Sequence, residues 1–252
     1  MKKIITGFIL LLCYTVNLTA QETQKPNFST DRPGQCFSSS TVPKGHLLLE
    51  TGIGVDLFNG LNSWNLTATD LRYGVAKNFE LRSGVRAFAQ KRAGVDDLDF
   101  TGALTAGLKW QIVGKKIELA YLAEAAIPIY PNIVNAYHLL QLSHPVGDKI
   151  SFSYMLMHNV DFGVINYPGY GGAAQFSYLA AFTLMPKWSF YLELSAFWDS
   201  SDPFEYGILY DAGMTYMVKD NLQLDFFFGH GINYKHGTYG LGICWMPPKK
   251  QS

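Results

Sequence analysis

The chain has 252 residues, of which 15% are aromatic and 16% charged, and it contains 24 glycines. The charged fraction is well below the ~25% usual for soluble domains. Basic and acidic residues balance at 20 each, so the chain lacks both the excess of basic residues typical of a nucleic-acid-binding protein and an acidic disordered tail. The abundance of Tyr, Phe and Gly favours strands over helices.

The first twenty residues have the three parts of a secretory signal peptide. Lys2 and Lys3 form a basic start, residues 4–16 are mostly apolar, and Ala20 ends the segment with a small side chain. A membrane anchor is the alternative, but the apolar run is shorter than the ~20 residues that a spanning helix needs. We therefore expect residues 1–20 to be removed after export, which leaves a mature chain with two more acidic than basic residues.

The rest of the chain divides into segments of about ten to thirteen residues whose polarity alternates with period two, the pattern of strands with one apolar face. In one of them Ile150, Phe152 and Tyr154 alternate with Ser151 and Ser153. Twelve such strands are predicted to begin near residues 46, 62, 79, 99, 117, 136, 150, 173, 188, 206, 222 and 237. An even number of strands suits a closed barrel.

The connections between these strands alternate in length. Short turns are predicted at residues 76–78, 113–116, 147–149, 185–187 and 219–221, and longer connections lie between them, including 91–98, 128–135 and 163–172. Outer-membrane barrels have short periplasmic turns and longer extracellular loops. Both chain ends are therefore expected in the periplasm.

The spacing of large aromatic residues gives a second indication of a membrane protein. Three strands carry a pair ten residues apart on one face, namely Phe100 and Trp110, Trp188 and Trp198, and Tyr206 and Tyr216. A tilted strand climbs ~25 Å in ten residues, the height of a lipid-facing band. A soluble β-sandwich or lipocalin-like barrel is the alternative, but twelve long aromatic-rich strands would overfill its core.

We therefore predict an all-β protein, a transmembrane antiparallel up-and-down β-barrel of about 12 strands over residues 46–246. An N-terminal periplasmic or plug segment over residues 21–45 precedes it, and a polar tail over 247–252 follows it. The predicted location is the outer membrane of a Gram-negative bacterium, reached by export with a cleaved signal peptide.

Several motifs along the mature chain resemble one known family, the one described as "putative MetA-pathway of phenol degradation". The motifs are Thr30-Asp31-Arg32-Pro33-Gly34, Val42-Pro43-Lys44-Gly45, Leu49-Glu50-Thr51-Gly52, Leu71-Arg72-Tyr73-Gly74, Glu80-Leu81-Arg82, Gly107-Leu108-Lys109-Trp110, Asp211-Ala-Gly-Met-Thr-Tyr216 and Asn221-Leu-Gln-Leu-Asp225. The resemblance implies an outer-membrane barrel, often described as a transporter, and a small aromatic or hydrophobic solute. One departure is the tail after Trp245, because barrels commonly finish on an aromatic residue that the outer-membrane assembly machinery recognises.

Charged residues at inward-facing positions are the candidate functional site. The strand parity predicts a lumen charge cluster of Asp70, Arg72, Glu80, Arg82 and Arg86, in which Arg72 lies directly opposite Arg82 and both carboxylates lie within reach of these two arginines. Further lumen candidates are Glu50, Asp56, Lys109, Glu118, Glu124, Glu193, Asp199, Asp211 and Asp225. These charges either form a polar translocation path or cross-link a filled lumen that conducts nothing.

The N-terminal segment contributes a plug motif, Asp31 and Arg32, which is predicted to meet lumen arginines and lumen carboxylates respectively. Cys36 precedes the first strand, and Cys244 lies near the end of the last strand, which neighbours the first in a closed barrel. The pair is therefore a candidate disulfide in an oxidising compartment, and the alternative is two small buried thiols. Lipoprotein processing at Cys13 is disfavoured because Leu12 before it is not small.

No motif predicts catalysis, a metal or a cofactor. Neither Cys-x-x-Cys nor Gly-x-Ser-x-Gly occurs, and the six histidines are scattered singly. Two functions remain open at this stage: a channel or transporter for small solutes, and a non-conducting structural or surface-binding barrel. The expected partners are the lipid bilayer, the assembly machinery and a small-molecule solute.

Overall fold

A computed structural model of the protein describes residues 29–58, 60–94, 96–114, 116–129, 133–163, 172–199 and 206–248. The expected signal peptide, the first part of the N-terminal segment (21–28), most of the long connection over 163–172 and the end of the tail (249–252) lie outside the described residues. Within the described part, no helix has the length and apolar character needed to span a membrane.

The described chain contains twelve strands. They are β1 (Leu47–Phe58), β2 (Leu61–Ala76), β3 (Phe79–Arg92), β4 (Asp99–Gly114), β5 (Glu118–Pro128), β6 (Ile133–Val146), β7 (Ile150–Gly163), β8 (Gly172–Met185), β9 (Trp188–Asp199), β10 (Tyr206–Lys219), β11 (Leu222–Gly231) and β12 (His236–Trp245). No strand begins more than three residues from its predicted start. The period-two pattern located these strands because each has one face toward lipid and one toward the lumen.

The twelve strands form one closed barrel in sequence order, with every neighbouring pair antiparallel. The pairing of β1 with β12 closes it, from Leu49 opposite Trp245 to Phe58 opposite His236. The strands of the barrel extend from Leu47 to Trp245. Closure leaves no unpaired sheet edge, which is the condition for a β-structure to cross a bilayer.

The outer surface of the barrel is apolar, as the alternation predicts. Phe100, Leu104 and Leu192 are 63%, 56% and 60% exposed, although large apolar side chains are normally buried. Trp110, at the other end of β4, is also exposed. Such a continuous apolar surface is compatible with lipid and not with water.

The connections confirm the expected alternation with one exception. Two- or three-residue turns at 77–78, 147–149, 186–187 and 220–221 close one end of the barrel. At the other end the β1–β2 connection has only residues 59–60, contrary to the expectation of longer connections there. Gly60 has a φ of 83°, and a two-residue hairpin requires such a conformation.

The chain before β1 lies inside the barrel. We call residues 29–45 the lumen segment; Asp31, Cys36, Ser39 and Val42 in it are buried. Its end pairs with the barrel wall, because Lys44 forms a parallel bridge with Gly74 near the end of β2. The segment therefore occupies the barrel end that carries the short turns.

Candidate functional site in the barrel lumen

The centre of the site is a pair of arginines on neighbouring strands. Arg72 of β2 lies directly opposite Arg82 of β3, as predicted, and both are buried. Glu80 makes this arrangement possible, since it accepts hydrogen bonds from Arg72 at 2.9 and 3.0 Å and from Arg82 at 3.3 Å. Two buried like charges are thus held together by a carboxylate that bonds both.

Acidic residues on the adjacent strands complete this network. Arg72 donates to Glu50 of β1 at 2.7 Å, and Arg82 donates to Glu124 of β5 at 3.2 Å. Tyr137 of β6 donates its hydroxyl to the other oxygen of Glu124. We call the side chains of Glu50, Arg72, Glu80, Arg82, Lys109 and Glu124 the charged wall. Charge-assisted bonds of this kind fix the guanidinium groups in place.

Asp31 of the lumen segment lies at the convergence of the three bases of the charged wall. Its carboxylate accepts from Arg82 and from Lys109 Nζ at 3.1 Å, and it lies 3.4 Å from Arg72 Nη1. Its own backbone N–H donates to Glu50 at 3.0 Å. Burial alone would raise the pKa of the Asp31 carboxyl, but Arg72, Lys109 and Arg82 together hold that pKa below its ordinary value. Asp31 is therefore charged and fastened to the wall.

Further bonds of the lumen segment spread around the barrel. Ser40 donates its hydroxyl to Glu118 at 2.6 Å, and the Val42 N–H donates to Glu80 at 2.7 Å. On the far side the Gln35 N–H donates to Glu193 of β9 at 2.9 Å. The segment thus crosses the lumen and bonds opposite sides of the barrel, as expected of residues that close its mouth.

Arg32 fastens the segment to the seam where β1 and β12 meet. It donates to both oxygens of Asp225 at 3.3 and 3.2 Å and to the Leu241 carbonyl at 3.2 Å. Its guanidinium lies over Gly52 and Gly242, which face each other across the seam, and a Cβ at either position would overlap it. Asp31 thus contacts basic residues of the lumen, and Arg32 contacts a lumen carboxylate. These are the partner types that we predicted for the two residues.

One predicted contact is wrong. Asp70 does not bond Arg72 or Arg82; it accepts two hydrogen bonds of 2.8 Å from Arg86. Asp70 lies opposite Gly84 in the β2–β3 register, so the longer Arg86 side chain reaches it from further along β3. This pair is separate from the charged wall and is partly exposed.

A second group of inward carboxylates has fewer basic partners. Glu193 of β9 and Asp211 of β10 are directly opposite and both are buried. The Tyr191 hydroxyl lies beside the Asp211 carboxylate and interacts with it. Seven of the nine further lumen candidates are buried, namely Glu50, Lys109, Glu118, Glu124, Glu193, Asp211 and Asp225. The side chain of Asp199 lies outside the described residues, and Asp56 lies 3.4 Å from His236 near the opposite end of the barrel.

Part of the lumen is apolar, which the sequence analysis missed. Five buried residues on β5 to β9 form this surface, which we call the apolar wall: Leu122, Leu139, Met155, Leu179 and Tyr191. Their strand parity held the clue, because Met155 shares its face with the inward Ser151 and Ser153. Cys36 of the lumen segment is buried in this cluster, and Phe37 packs against it.

The candidate disulfide is wrong in this structure, because both cysteines are free and buried. Cys36 belongs to the cluster of the apolar wall, whereas Cys244 packs with Val42, Leu48 and Met246. Burial raises the pKa of the Cys36 thiol, which makes it unreactive. Among the described residues, no three His, Cys, Asp or Glu side chains are grouped as a metal site.

The barrel resembles several solved outer-membrane proteins. An outer membrane channel of Pseudomonas putida F1 is 13% identical with a TM-score of 0.61, and the alignment covers 86% of this chain and 99% of that one. The translocator domain of the autotransporter NalP from Neisseria meningitidis is 9% identical with a TM-score of 0.58, over 79% and 87% of the two chains. The KdgM porin is 12% identical with a TM-score of 0.54, over 78% and 98%. No curated protein sequence matches this chain significantly.

At these identities the likeness establishes the fold, that of an outer-membrane β-barrel. The apolar outer surface and the closed strand topology agree with a location in the Gram-negative outer membrane. The model of one sequence family matches residues 30–245, which is most of the chain. The chain therefore belongs to the family described as "Putative MetA-pathway of phenol degradation".

Proposed function

We propose that this barrel is a channel for small apolar or aromatic solutes and that the lumen segment closes its periplasmic mouth at rest. The observation that carries the proposal is a lumen with two unlike sides, a charged wall that holds the segment and an apolar wall that suits an apolar solute. The family description names phenol degradation, and the similar barrel of Pseudomonas putida F1 is described as an outer membrane channel. Both support an aromatic solute and a conducting role.

The charged groups have a definite part in this proposal. The three cations Arg72, Arg82 and Lys109 pair with four carboxylates, those of Glu50, Glu80, Glu124 and Asp31, so the network leaves little net charge in the lumen. A narrow path with paired charges favours selective passage over general diffusion of ions. Asp31 and Arg32 act as the plug motif of the segment over residues 21–45. No catalytic step is assigned to any of these residues. The assembly machinery either tolerates the tail after Trp245 or recognises Trp245 within the last strand.

One observation favours the alternative, a non-conducting barrel with a structural or surface-binding role. Arg72 and Lys109 are fully buried, so the short-turn end of the lumen is filled. A barrel whose filling never moves conducts nothing. The two functions differ in whether removal of the segment opens a path that the intact protein uses.

Reconstitution of the mature chain tests the proposal. Purified barrel in planar bilayers should show small conductance steps, and deletion of residues 21–35 should enlarge them because it removes Asp31 and Arg32. Deletion of residues 21–28 is the matched control and retains both anchoring residues. In cells, loss of the gene should slow uptake of phenolic compounds. If neither the intact barrel nor the deletion variant conducts in bilayers, and parent and deletion strains take up phenolic compounds equally, the barrel has a structural role and is not a channel.

A further inference from the structure

Phe37 of the lumen segment has an unusual environment for a phenylalanine. It packs against the buried cluster formed by Cys36 and the apolar wall, against which Tyr137 and Met157 also pack. On another side the Arg82 guanidinium carbon lies 5.6 Å from the centre of the ring. A guanidinium at this distance from a ring centre makes a cation–π contact. The ring is only partly buried.

We propose that Phe37 occupies a binding site for a neutral aromatic ring, and that an aromatic solute takes this site in place of Phe37 and so frees the lumen segment from the apolar wall. The inference rests on the proposed function and deepens it, because it names the solute class and the step that opens the mouth. The solute has the same neutral six-membered aromatic ring as the Phe37 side chain that it displaces.

The site keeps its shape when Phe37 leaves. Arg82 is held by Asp31, Glu80 and Glu124, none of which depends on Phe37. Tyr137 is held by its bond to Glu124. The apolar residues are supplied by rigid strands of the barrel wall. A vacated apolar site lined by fixed side chains binds a benzene-sized molecule instead of collapsing.

The same contacts define which aromatic solutes bind. The Arg82 guanidinium lies over the ring, while three carboxylates accept hydrogen bonds from its Nε and Nη1. An aromatic carboxylate such as benzoate would meet those carboxylates and be repelled. A neutral ring such as phenol meets no such charge and retains the cation–π contact. Phenol should therefore bind and benzoate should not.

Cys36 provides a reporter of the displacement in the native sequence. Its thiol is buried beside Phe37, and a segment that leaves the apolar wall exposes it to a water-soluble alkylating reagent. Cys244 is buried in a different cluster and serves as the internal control. Mass spectrometry of peptides resolves the two sites in barrels reconstituted in lipid nanodiscs.

Phenol should accelerate alkylation of Cys36 about tenfold, the increase expected when the freed state rises from a minor to a major population. Alkylation of Cys244 should not change. Cyclohexanol, which matches phenol in size without a π face, and benzoate should each have little effect. Equal rates with phenol, cyclohexanol and no solute would overturn the proposal.

Direct binding gives a second measurement. Phe37→Ala should bind phenol about tenfold more tightly than the native barrel, because the competing ring is gone. Phe37→Leu is the control, since it retains apolar volume and should bind no more tightly than the native chain. Absence of phenol binding to a folded Phe37→Ala barrel would also overturn the proposal. These measurements need no flux, so a displaced segment with silent bilayers would contradict the channel and leave the binding site in place.

Discussion

The charged wall and the apolar wall hold the same lumen segment by different means. On the charged wall, Asp31 bonds two bases within the barrel and lies close to a third. On the apolar wall, Cys36 and Phe37 make packing contacts that have no required direction. Directional ion pairs fix one geometry, whereas packing contacts are shared readily with another apolar molecule.

The ion pairs on the charged wall are also energetically stronger than the packing contacts on the apolar wall. Removing one partner of a buried ion pair costs ~3–5 kcal/mol, while burying an apolar side chain contributes ~1.5–3 kcal/mol. The segment should therefore leave the apolar wall before it leaves the charged wall.

Arg72→Ala should have the largest effect on stability. The change leaves Glu50 and Glu80 buried without their main cation and should cost ~3–5 kcal/mol. The mobility shift that folded barrels show on heating in gels should occur at a clearly lower temperature. Arg86→Ala is the control, because its pair with Asp70 is partly exposed; equal shifts for both variants would contradict a special role of the charged wall. With Arg82→Ala added, the bilayer current should become more cation-selective.

Asp31→Asn should open the mouth without unfolding the barrel. The neutral amide loses charge-assisted bonds to Arg82 and Lys109, at a cost of ~1.5–3 kcal/mol. Single-channel conductance should rise toward that of the barrel lacking residues 21–35. An unchanged conductance in a correctly folded variant would mean that the segment is held without Asp31.

Gly242→Ala should loosen only the seam end of the segment. The added methyl group overlaps the Arg32 guanidinium, and such overpacking costs ~1–3 kcal/mol. Conductance should rise less than in Asp31→Asn. Gly237→Ala on the same strand is the matched control, since its Cβ would meet nothing nearer than the Tyr239 ring at 3.5 Å. If both variants behave alike, Arg32 does not need the glycine surface.

Asp211→Asn should stabilise the barrel slightly. It removes one of two carboxylates that face each other across β9 and β10, and like charges in this position are destabilising by ~0.2–1 kcal/mol. Asp225→Asn should have the opposite sign, because Asp225 loses its pair with Arg32. Urea unfolding in lipid measures both, and a destabilised Asp211→Asn would show that the interaction of the carboxylate with Tyr191 outweighs its repulsion by Glu193.

Mild acid should not weaken the contact of Asp31 with the charged wall. The pKa of Asp31 is held below its ordinary value because its basic neighbours outweigh burial. A lowered pKa in the folded state means that the stabilisation is complete above the unfolded value of ~3.9 and is lost only as the pH falls through the lower folded value. The difference in conductance between the native barrel and Asp31→Asn should therefore be the same at pH 7 and pH 5. A difference that disappears at pH 5 would show that Asp31 loses its charge within that range.

Much of the fold and part of the site could be read from the sequence. Strand starts such as Phe79 and Trp188 were predicted to the residue, because alternation and turn residues are local properties. The pairing of Arg72 with Arg82 followed from the centre of one short hairpin. The apolar wall was not predicted because each of five strands contributes a single residue to it. Within one strand, an apolar residue at an inward position only interrupts the alternating pattern.

The barrel, its strand number and the inward position of the charged residues all follow from local sequence patterns, since a period-two pattern is complete within each strand. Three features are visible only in the tertiary structure: the pairing of Asp70 with Arg86, the separation of Cys36 from Cys244, and the position of Phe37 between Arg82 and the apolar wall. These contacts join residues on distant strands or place an irregular segment in three dimensions. Barrel closure and side-chain reach set such distances, and no local pattern encodes them.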